Sequence, residues 1–177
     1  MTVTTPRLRL REYTHADFDW LHPVVSNPSV TRYTDWGPNE PDETRAFLEK
    51  AARSGSGPDT FSWAVTLADG TGIGSAGVHV TSREHRRASF GYVLDPRHWG
   101  RGYATEVAEA VVTFAHTTLE MYRVEATCDP DNAASARVLE KATLTFEGRL
   151  RGHLLVRGSW RDSLLYAALP GDLPRAP

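Results

Sequence analysis

Arg97-His98-Trp99-Gly100-Arg101-Gly102-Tyr103-Ala104 carries the most chemistry that can be read directly from this chain. The stretch follows a strand-like run, Ala88 to Leu94, closed by Asp95-Pro96, and it opens an amphipathic helix beginning near Tyr103. A glycine pair between a strand and a helix lets backbone N–H groups converge on an anion, and the helix dipole favours negative charge at the same place. Arg97 and Arg101 can add charge-assisted hydrogen bonds from the sides, so the stretch suits a phosphate. Gly-x-Gly alone is equally compatible with a plain loop and helix start, because short glycine motifs recur by chance. The preceding strand, the internal arginines and the following helix favour the anion site.

A second string, Asn132-Ala133-Ala134-Ser135-Ala136-Arg137-Val138-Leu139-Glu140-Lys141, reads as a short helix. Asn132 is a good N-cap, accepting the N–H of Ser135 or its neighbour. The cap uses the side-chain oxygen and leaves the NH₂ free to donate, so capping and ligand contact are compatible.

At this point the chain resembles a known family. Arg-x-x-Gly-x-Gly in a strand-to-helix loop is similar to the acyl-CoA pyrophosphate loop of the GNAT N-acetyltransferases. The longer string Gly91-Tyr92-Val93-Leu94-Asp95-Pro96, with Trp99-Gly100-Arg101-Gly102-Tyr103-Ala104-Thr105-Glu106, resembles the branch that acetylates ribosomal-protein N-termini. The Asn132 string resembles the second cofactor segment of that branch, and the match extends through Glu147-Gly148-Arg149-Leu150-Arg151 and Trp160-Arg161-Asp162. The resemblance implies an acetyl-CoA site over Val93, Leu94, Arg97, Trp99, Gly100, Arg101, Gly102, Tyr103, Ala104 and Thr105. It implies that backbone around Val93 and Leu94 pairs with pantetheine and polarises the thioester carbonyl. It also implies that Asn132 bonds the pantetheine arm and that Ser135 lies near the acyl sulfur, where it assists thiolate departure. Two departures stand out. Family sequences usually run Lys-x-Gly-Phe where this chain has Lys141-Ala142-Thr143-Leu144, and β-branched Thr supplies a left-handed helix exit poorly. Many relatives carry an acid two places before the Gly-Tyr pair, where this chain has Ser89.

Acyl transfer from a thioester to an amine needs a neutral amine, a donor for the developing oxyanion, and both substrates held together. With Ser89 in the acidic place, the base is not assigned to a carboxylate there. His153 is the candidate, because histidine as a residue type titrates near neutrality; Glu84, Asp35 and Glu106 are further ones. Tyr33 and Trp36 are candidates for lining the acceptor slot and are equally compatible with core positions.

Positioning these groups requires a folded domain, and the composition allows one. The chain has 177 residues, 40% hydrophobic and 24% charged, enough for one soluble domain with its own core. The formal charge of −2 gives no basic footprint for a nucleic-acid partner. No apolar run approaches the ~20 residues that span a bilayer, and Met1 to Pro6 lacks a secretory pattern. The single cysteine, Cys128, cannot form an internal disulfide, which fits a cytoplasmic setting, and its surroundings suggest a buried strand residue rather than a nucleophile.

Periodicity places strands at Leu8 to Arg11, Phe61 to Leu67, Ile73 to Thr81, Ala88 to Leu94, Arg123 to Cys128, Thr145 to Val156 and Trp160 to Leu169. Helices are expected after the Thr14 cap, with Phe18, Leu21 and Val25 as its stripe, then over Asp42 to Arg53, Tyr103 to Thr118 and Ala133 to Lys141. Ser54-Gly55-Ser56-Gly57-Pro58 breaks the second helix. The expected class is α/β (α+β), and the resemblance implies a mixed, mostly antiparallel sheet of about seven strands flanked by about four helices. Residues 1–169 form the domain and 170–177 a Pro-rich tail.

Two further motifs fail on context. Gly72-Ile73-Gly74-Ser75-Ala76-Gly77 matches Gly-x-Gly-x-x-Gly, but Val78-His79-Val80-Thr81 continues as a strand instead of opening a helix, so no dinucleotide site is expected. Asp129-x-Asp131 with Glu140 lacks the oxygen ligand and the glycine that a calcium loop needs, where Ala133 and Ala134 stand. The histidines show no metal spacing, and no metal is expected. The expected activity is direct acetyl transfer from acetyl-CoA to a protein N-terminus or a small-molecule amine, with no nucleic-acid or membrane partner; a homodimer is left open. The alternative is a non-catalytic acyl-CoA-binding module, favoured by Ser89.

Overall fold

The computed structural model describes residues 1–54 and 59–172. Eight strands form one sheet: β1 (Val3–Thr4), β2 (Leu8–Arg11), β3 (Thr60–Leu67), β4 (Gly72–Ser82), β5 (Arg87–Leu94), β6 (Arg123–Cys128), β7 (Thr145–Val156) and β8 (Ser159–Ala168). Among the described residues five α-helices accompany it: α1 (Phe18–Val25), α2 (Pro28–Thr31), α3 (Pro41–Ser54), α4 (Tyr103–Thr117) and α5 (Ala133–Lys141). The strand order is β1-β2-β3-β4-β5-β6-β8-β7, and β5–β6 is the parallel pair in an otherwise antiparallel sheet.

The architecture is the expected mixed α/β class, with one strand and one helix more than periodicity suggested. β1 has two residues and α2 has four, both too short to carry a period. Asn27-Pro28 does end α1, but Asn27 at once caps α2 by accepting the N–H of Ser29 at 2.9 Å. The expected break at Ser54-Gly55-Ser56-Gly57-Pro58 lies largely outside the described residues, as does most of the tail.

Alternation along the strands divides the core. Trp63 and Val65 on β3 belong to the main cluster, with Val78 on β4, Ala88 and Phe90 on β5, and Val107 and Val111 on α4. Phe114 meets Trp63 edge-on at 5.0 Å between centroids. Ala64 faces the other way, into a smaller cluster with Tyr13, Leu21, Val25 and Leu48. In α1 Leu21 and Val25 of the expected stripe are buried, and in α3 Thr44 and Leu48 are buried while Ala46 and Phe47 are exposed. The first helix is anchored by Asp17, which accepts from Thr14 N–H at 2.7 Å and from both Arg11 guanidinium nitrogens.

The glycines of β4 serve close packing. A Cβ on Gly72 would lie 2.1 Å from the Trp20 ring, and one on Gly74 would lie 2.2 Å from the Val93 carbonyl oxygen. The Trp20 ring of α1 and the backbone of β5 therefore approach β4 as closely as a bare backbone allows, which accounts for these two glycines. No helix among the described residues is long and apolar enough to cross a membrane.

Where threonine suits a left-handed helix exit poorly, the chain keeps that exit and is not rearranged. Thr143 has φ +69°, and the end of α5 closes with Thr143 N–H to Glu140 O (3.2 Å) and Leu144 N–H to Leu139 O (3.0 Å). This is the Schellman pattern, whose left-handed position normally belongs to glycine. The Thr143 hydroxyl is also buried without a hydrogen-bond partner among the described residues. Thr143→Gly should stabilise the fold by about 1 kcal/mol, relief of the left-handed strain exceeding the added freedom of glycine in the unfolded chain. The check is a higher urea midpoint at unchanged slope; a lower midpoint would mean that packing of the threonine methyl outweighs the strain.

Candidate active site

The site begins where the two parallel strands part. β5 and β6 pair at Arg87–Arg123, Ala88–Val124 and Ser89–Glu125, and there the ladder stops. β5 runs on to Leu94 against β4, and β6 runs on to Cys128 against β8. A wedge opens between them as part of a cleft of ≈ 1420 Å³. Asp95 N–H donates to Ile73 O at 2.8 Å, and the Val93 carbonyl is turned toward Gly74. Alternation along the strand then directs the backbone groups of Tyr92 and Leu94 into the wedge. Of the expected pair Val93 and Leu94, the polar backbone of Leu94 faces the wedge and that of Val93 faces β4.

One end of the cleft is the glycine loop. Gly100 and Gly102 have φ +73° and +79°, and Gly102 is the N-cap of α4. The first-turn N–H groups of Tyr103, Ala104 and Thr105 precede the first intrahelical bond, Glu106 N–H to Gly102 O at 3.1 Å, and those residues line the cleft. Trp99, Gly100 and Gly102 line it as well, whereas Arg97 and Arg101 do not.

The loop's charged residues brace it. Asp95 is buried and accepts from Arg97 N–H at 2.9 Å and from the Arg97 guanidinium at 2.6 Å. Arg97 hydrogen bonds hold the Asp95 carboxyl below the usual range, against the opposing effect of burial. The Trp99 indole N–H donates to Leu94 O at 2.8 Å, folding the loop back on the strand. From behind, Arg7 donates to Arg101 O (3.0 Å) and to Glu106 (2.7 Å), and lies 4.7 Å over the Tyr103 ring. Glu106 also accepts from Thr5, so this carboxylate is a brace outside the cleft lining.

The far wall of the wedge is the start of α5. Asn132 caps it, Oδ1 accepting Ser135 N–H at 3.1 Å, and the NH₂ remains available as a donor. The Ser135 hydroxyl lies 3.2 Å from the Tyr92 hydroxyl, bridging α5 to β5 across the opening. Burial pushes the Tyr92 phenol up to about 12, so it stays protonated at neutral pH. Sequence reasoning quoted Tyr92 within a motif and gave it no role; a polar tip on a strand beside a glycine was the available signal. Cys128 lines the same wedge, and burial raises its thiol to about 11, which leaves it un-ionised.

His153 reaches the cleft through a bulge. Leu150 pairs with Ser163 and Leu154 with Arg161, so Arg151, Gly152 and His153 stand opposite Asp162 alone. Gly152 has φ +56° and donates N–H to Asp162 at 2.8 Å, while His153 Nδ1 sits 2.9 Å from the Ser163 hydroxyl. Bulges re-aim side chains in this way. Tyr33, Asp35 and Trp36 line the same mouth of the cleft, and Glu84, in the turn between β4 and β5, is remote from it. Glu125, at the root of the wedge beside Ser89, is held by Arg87 and Arg123. The arrangement offers anion-binding N–H groups, free strand backbone, a paired hydroxyl donor and an imidazole in one continuous cleft.

Comparison with known proteins agrees with this geometry. A family model described as "Acetyltransferase (GNAT) domain" matches residues 7–145. An uncharacterized N-acetyltransferase of Bacillus subtilis, YoaA, is 32% identical over 93% of this chain and 94% of its own. The crystal structure of a GNAT-family acetyltransferase from Bacillus anthracis superposes with a TM-score of 0.86 at 28% identity, covering 96% of this chain and 98% of that one. RimL, a ribosomal L7/L12 alpha-N-protein acetyltransferase solved with coenzyme A, shares the fold with a TM-score of 0.84 at 20% identity, covering 96% and 98%.

The buried Asp95 yields a prediction for the loop. A carboxyl held below its ordinary 3.8 stabilises the folded state above that pH, and the contribution is lost as pH falls through the lowered value. Asp95→Asn should therefore cost about 1 kcal/mol at pH 7, the net worth of the lost charge-assisted bonding. Urea titrations of both proteins should show the gap closing as pH falls below about 4; a gap that does not narrow with falling pH would contradict the Arg97 pairing as its source.

Proposed function

This chain belongs to the GNAT acetyltransferase family and is an acyltransferase, and we propose that it moves an acetyl group from acetyl-CoA directly to a primary amine. The observation that carries the reading is the wedge between β5 and β6, with the glycine loop at one end and His153 at the other. The acceptor class we favour is a protein N-terminus, the substrate type named for the RimL neighbour; a small-molecule amine is the second class.

In this reading the pyrophosphate of the donor accepts hydrogen bonds from the first turn of α4, where unpaired N–H groups and the helix dipole both favour it. The pantetheine arm lies as a false strand along the inner edge of β5, between Leu94 and the Asn132 amide. The thioester carbonyl accepts a backbone N–H from the wedge, which stabilises charge as the tetrahedral centre forms. The amine nitrogen attacks the carbonyl carbon, the C–S bond breaks, and the Ser135 hydroxyl, backed by Tyr92, donates a hydrogen bond that stabilises the departing thiolate. A thiol with a pKa near 8.5 leaves readily, so this help is modest. The proton lost by the amine passes to water and His153. Ser89 supplies no carboxylate, and Glu125 beside it is engaged by two arginines.

Two measurements test this. Acetyl-CoA should raise the melting temperature of the wild type by mass action. Gly102→Val should lose that rise, because φ +79° resists a β-branched residue and the loop must move; an undiminished shift in a folded variant removes the loop from the site. With an accepted amine, kcat/KM should climb with pH as the free-amine fraction grows, and His153→Ala should lose no more than ~10²-fold. A loss beyond ~10⁴-fold in Asp35→Ala, with acetyl-CoA binding intact, would identify a dedicated carboxylate base and overturn the water-mediated route.

A further inference from the structure

The wall of the cleft that carries Tyr33, Asp35 and Trp36 belongs to no strand, and α2 before it spans Pro28–Thr31. Two arginines from the β7–β8 hairpin hold this wall. The Arg157 Nη2 donates to the carbonyls of Gly37 at 2.6 Å, Thr31 at 3.2 Å and Trp36 at 3.3 Å. The Arg161 Nη1 donates to the Arg32 carbonyl at 3.1 Å and lies 3.6 Å from Asp129 at the end of β6. Inside the wall, the Thr34 hydroxyl bonds the carbonyls of Thr31 and Trp36. The carbonyls that end α2 and those that precede α3 are thus gathered at the β7–β8 hairpin, more than a hundred residues away in sequence.

The turn holding Arg157 supplies an independent observation. Arg157 and Gly158 both have positive φ, +48° and +80°, the two-residue hairpin geometry that favours Asn-Gly or Gly-Gly. An arginine bears left-handed strain here without gaining anything from the turn. Residues kept in a sparsely populated backbone region point to a task for the side chain.

We propose that Arg157, with Arg161, is a specificity-determining positioning residue: it fixes the 32–37 wall over the cleft mouth and so sets which amines reach the acetyl group. The proposal rests on the reading of this cleft as an amine acceptor site. Arg157 acts through Tyr33, Asp35 and Trp36 and takes no part in the chemistry.

Arg157→Gly separates this from a role in stability, because glycine relieves the turn while removing the donors. The melting temperature should stay level or rise, and amide exchange of residues 31–37 should accelerate at least about tenfold. With an accepted amine, acceptor KM should rise about tenfold, with kcat and the acetyl-CoA Kd little changed. Arg157→Lys keeps three donors on one nitrogen and should restore most of the exchange protection and of KM. Wild-type exchange rates in the glycine variant, an unchanged acceptor KM, or a lysine variant no better than glycine would each overturn the proposal. The exchange measurement needs no turnover. A wild type that acetylates no amine would thus count against the proposed function while exchange still judges the latch.

Discussion

Two parallel strands that stop pairing while both continue create the condition on which the rest of this structure depends. From Ser89 and Glu125 onward, β5 and β6 each keep an outer partner and lose the inner one. Buried backbone N–H and C=O groups without partners are costly, so native structures almost always satisfy them. A ligand with alternating amide groups meets that need as a third strand would, and the ends of the wedge decide what else the ligand must carry. At one end the N-terminus of α4 calls for an anion; at the other the opening passes through the sheet to the face of α1 and α3.

Charge around the cleft is spent mainly on holding geometry. Arg97 neutralises Asp95 at the base of the glycine loop, Arg7 ties that loop to Glu106, and Arg123 and Arg87 engage Glu125 at the root of the wedge. Ion pairs at exposed positions contribute little stability. Their effect here is local: those of Arg97 and Arg7 fix the glycine loop, which has no ladder of its own, and those on Glu125 tie side chains of the paired strands β5 and β6. The same holds across the cleft, where Arg157 and Arg161 bind carbonyls of an irregular segment. Among the loop arginines, Arg97 turns to Asp95 and lies outside the cleft lining.

Positive φ marks several of the same places, and also Arg86 and Glu120 outside the cleft lining. Left-handed backbone at Gly100, Gly102, Gly152 and Arg157 surrounds the cleft, and Thr143 closes the helix that forms its wall. Glycine accommodates three of these at little cost. Threonine and arginine do not, and the two cases differ. The Thr143 side chain makes no hydrogen bond among the described residues, whereas the Arg157 side chain makes three.

Much of this was legible in the sequence because it is local. Turn chemistry, capping and period located β6, α5 and β7 at their observed bounds, and the glycine loop and Asn132 cap appeared where their spacing put them. The mixed α/β class and the membership of the family followed from the same strings. What the sequence left open depends on contacts between distant segments. The two short elements β1 and α2 carry no period, and β1 exists through its pairing with β2. The turn of Arg97 toward Asp95, the bond from Tyr92 to Ser135 and the bulge that aims His153 all arise from register or packing. So does the capture of residues 31–37 by Arg157. Local spacing determines which groups a segment can offer, whereas the meeting of strand edges determines which of them face the same opening.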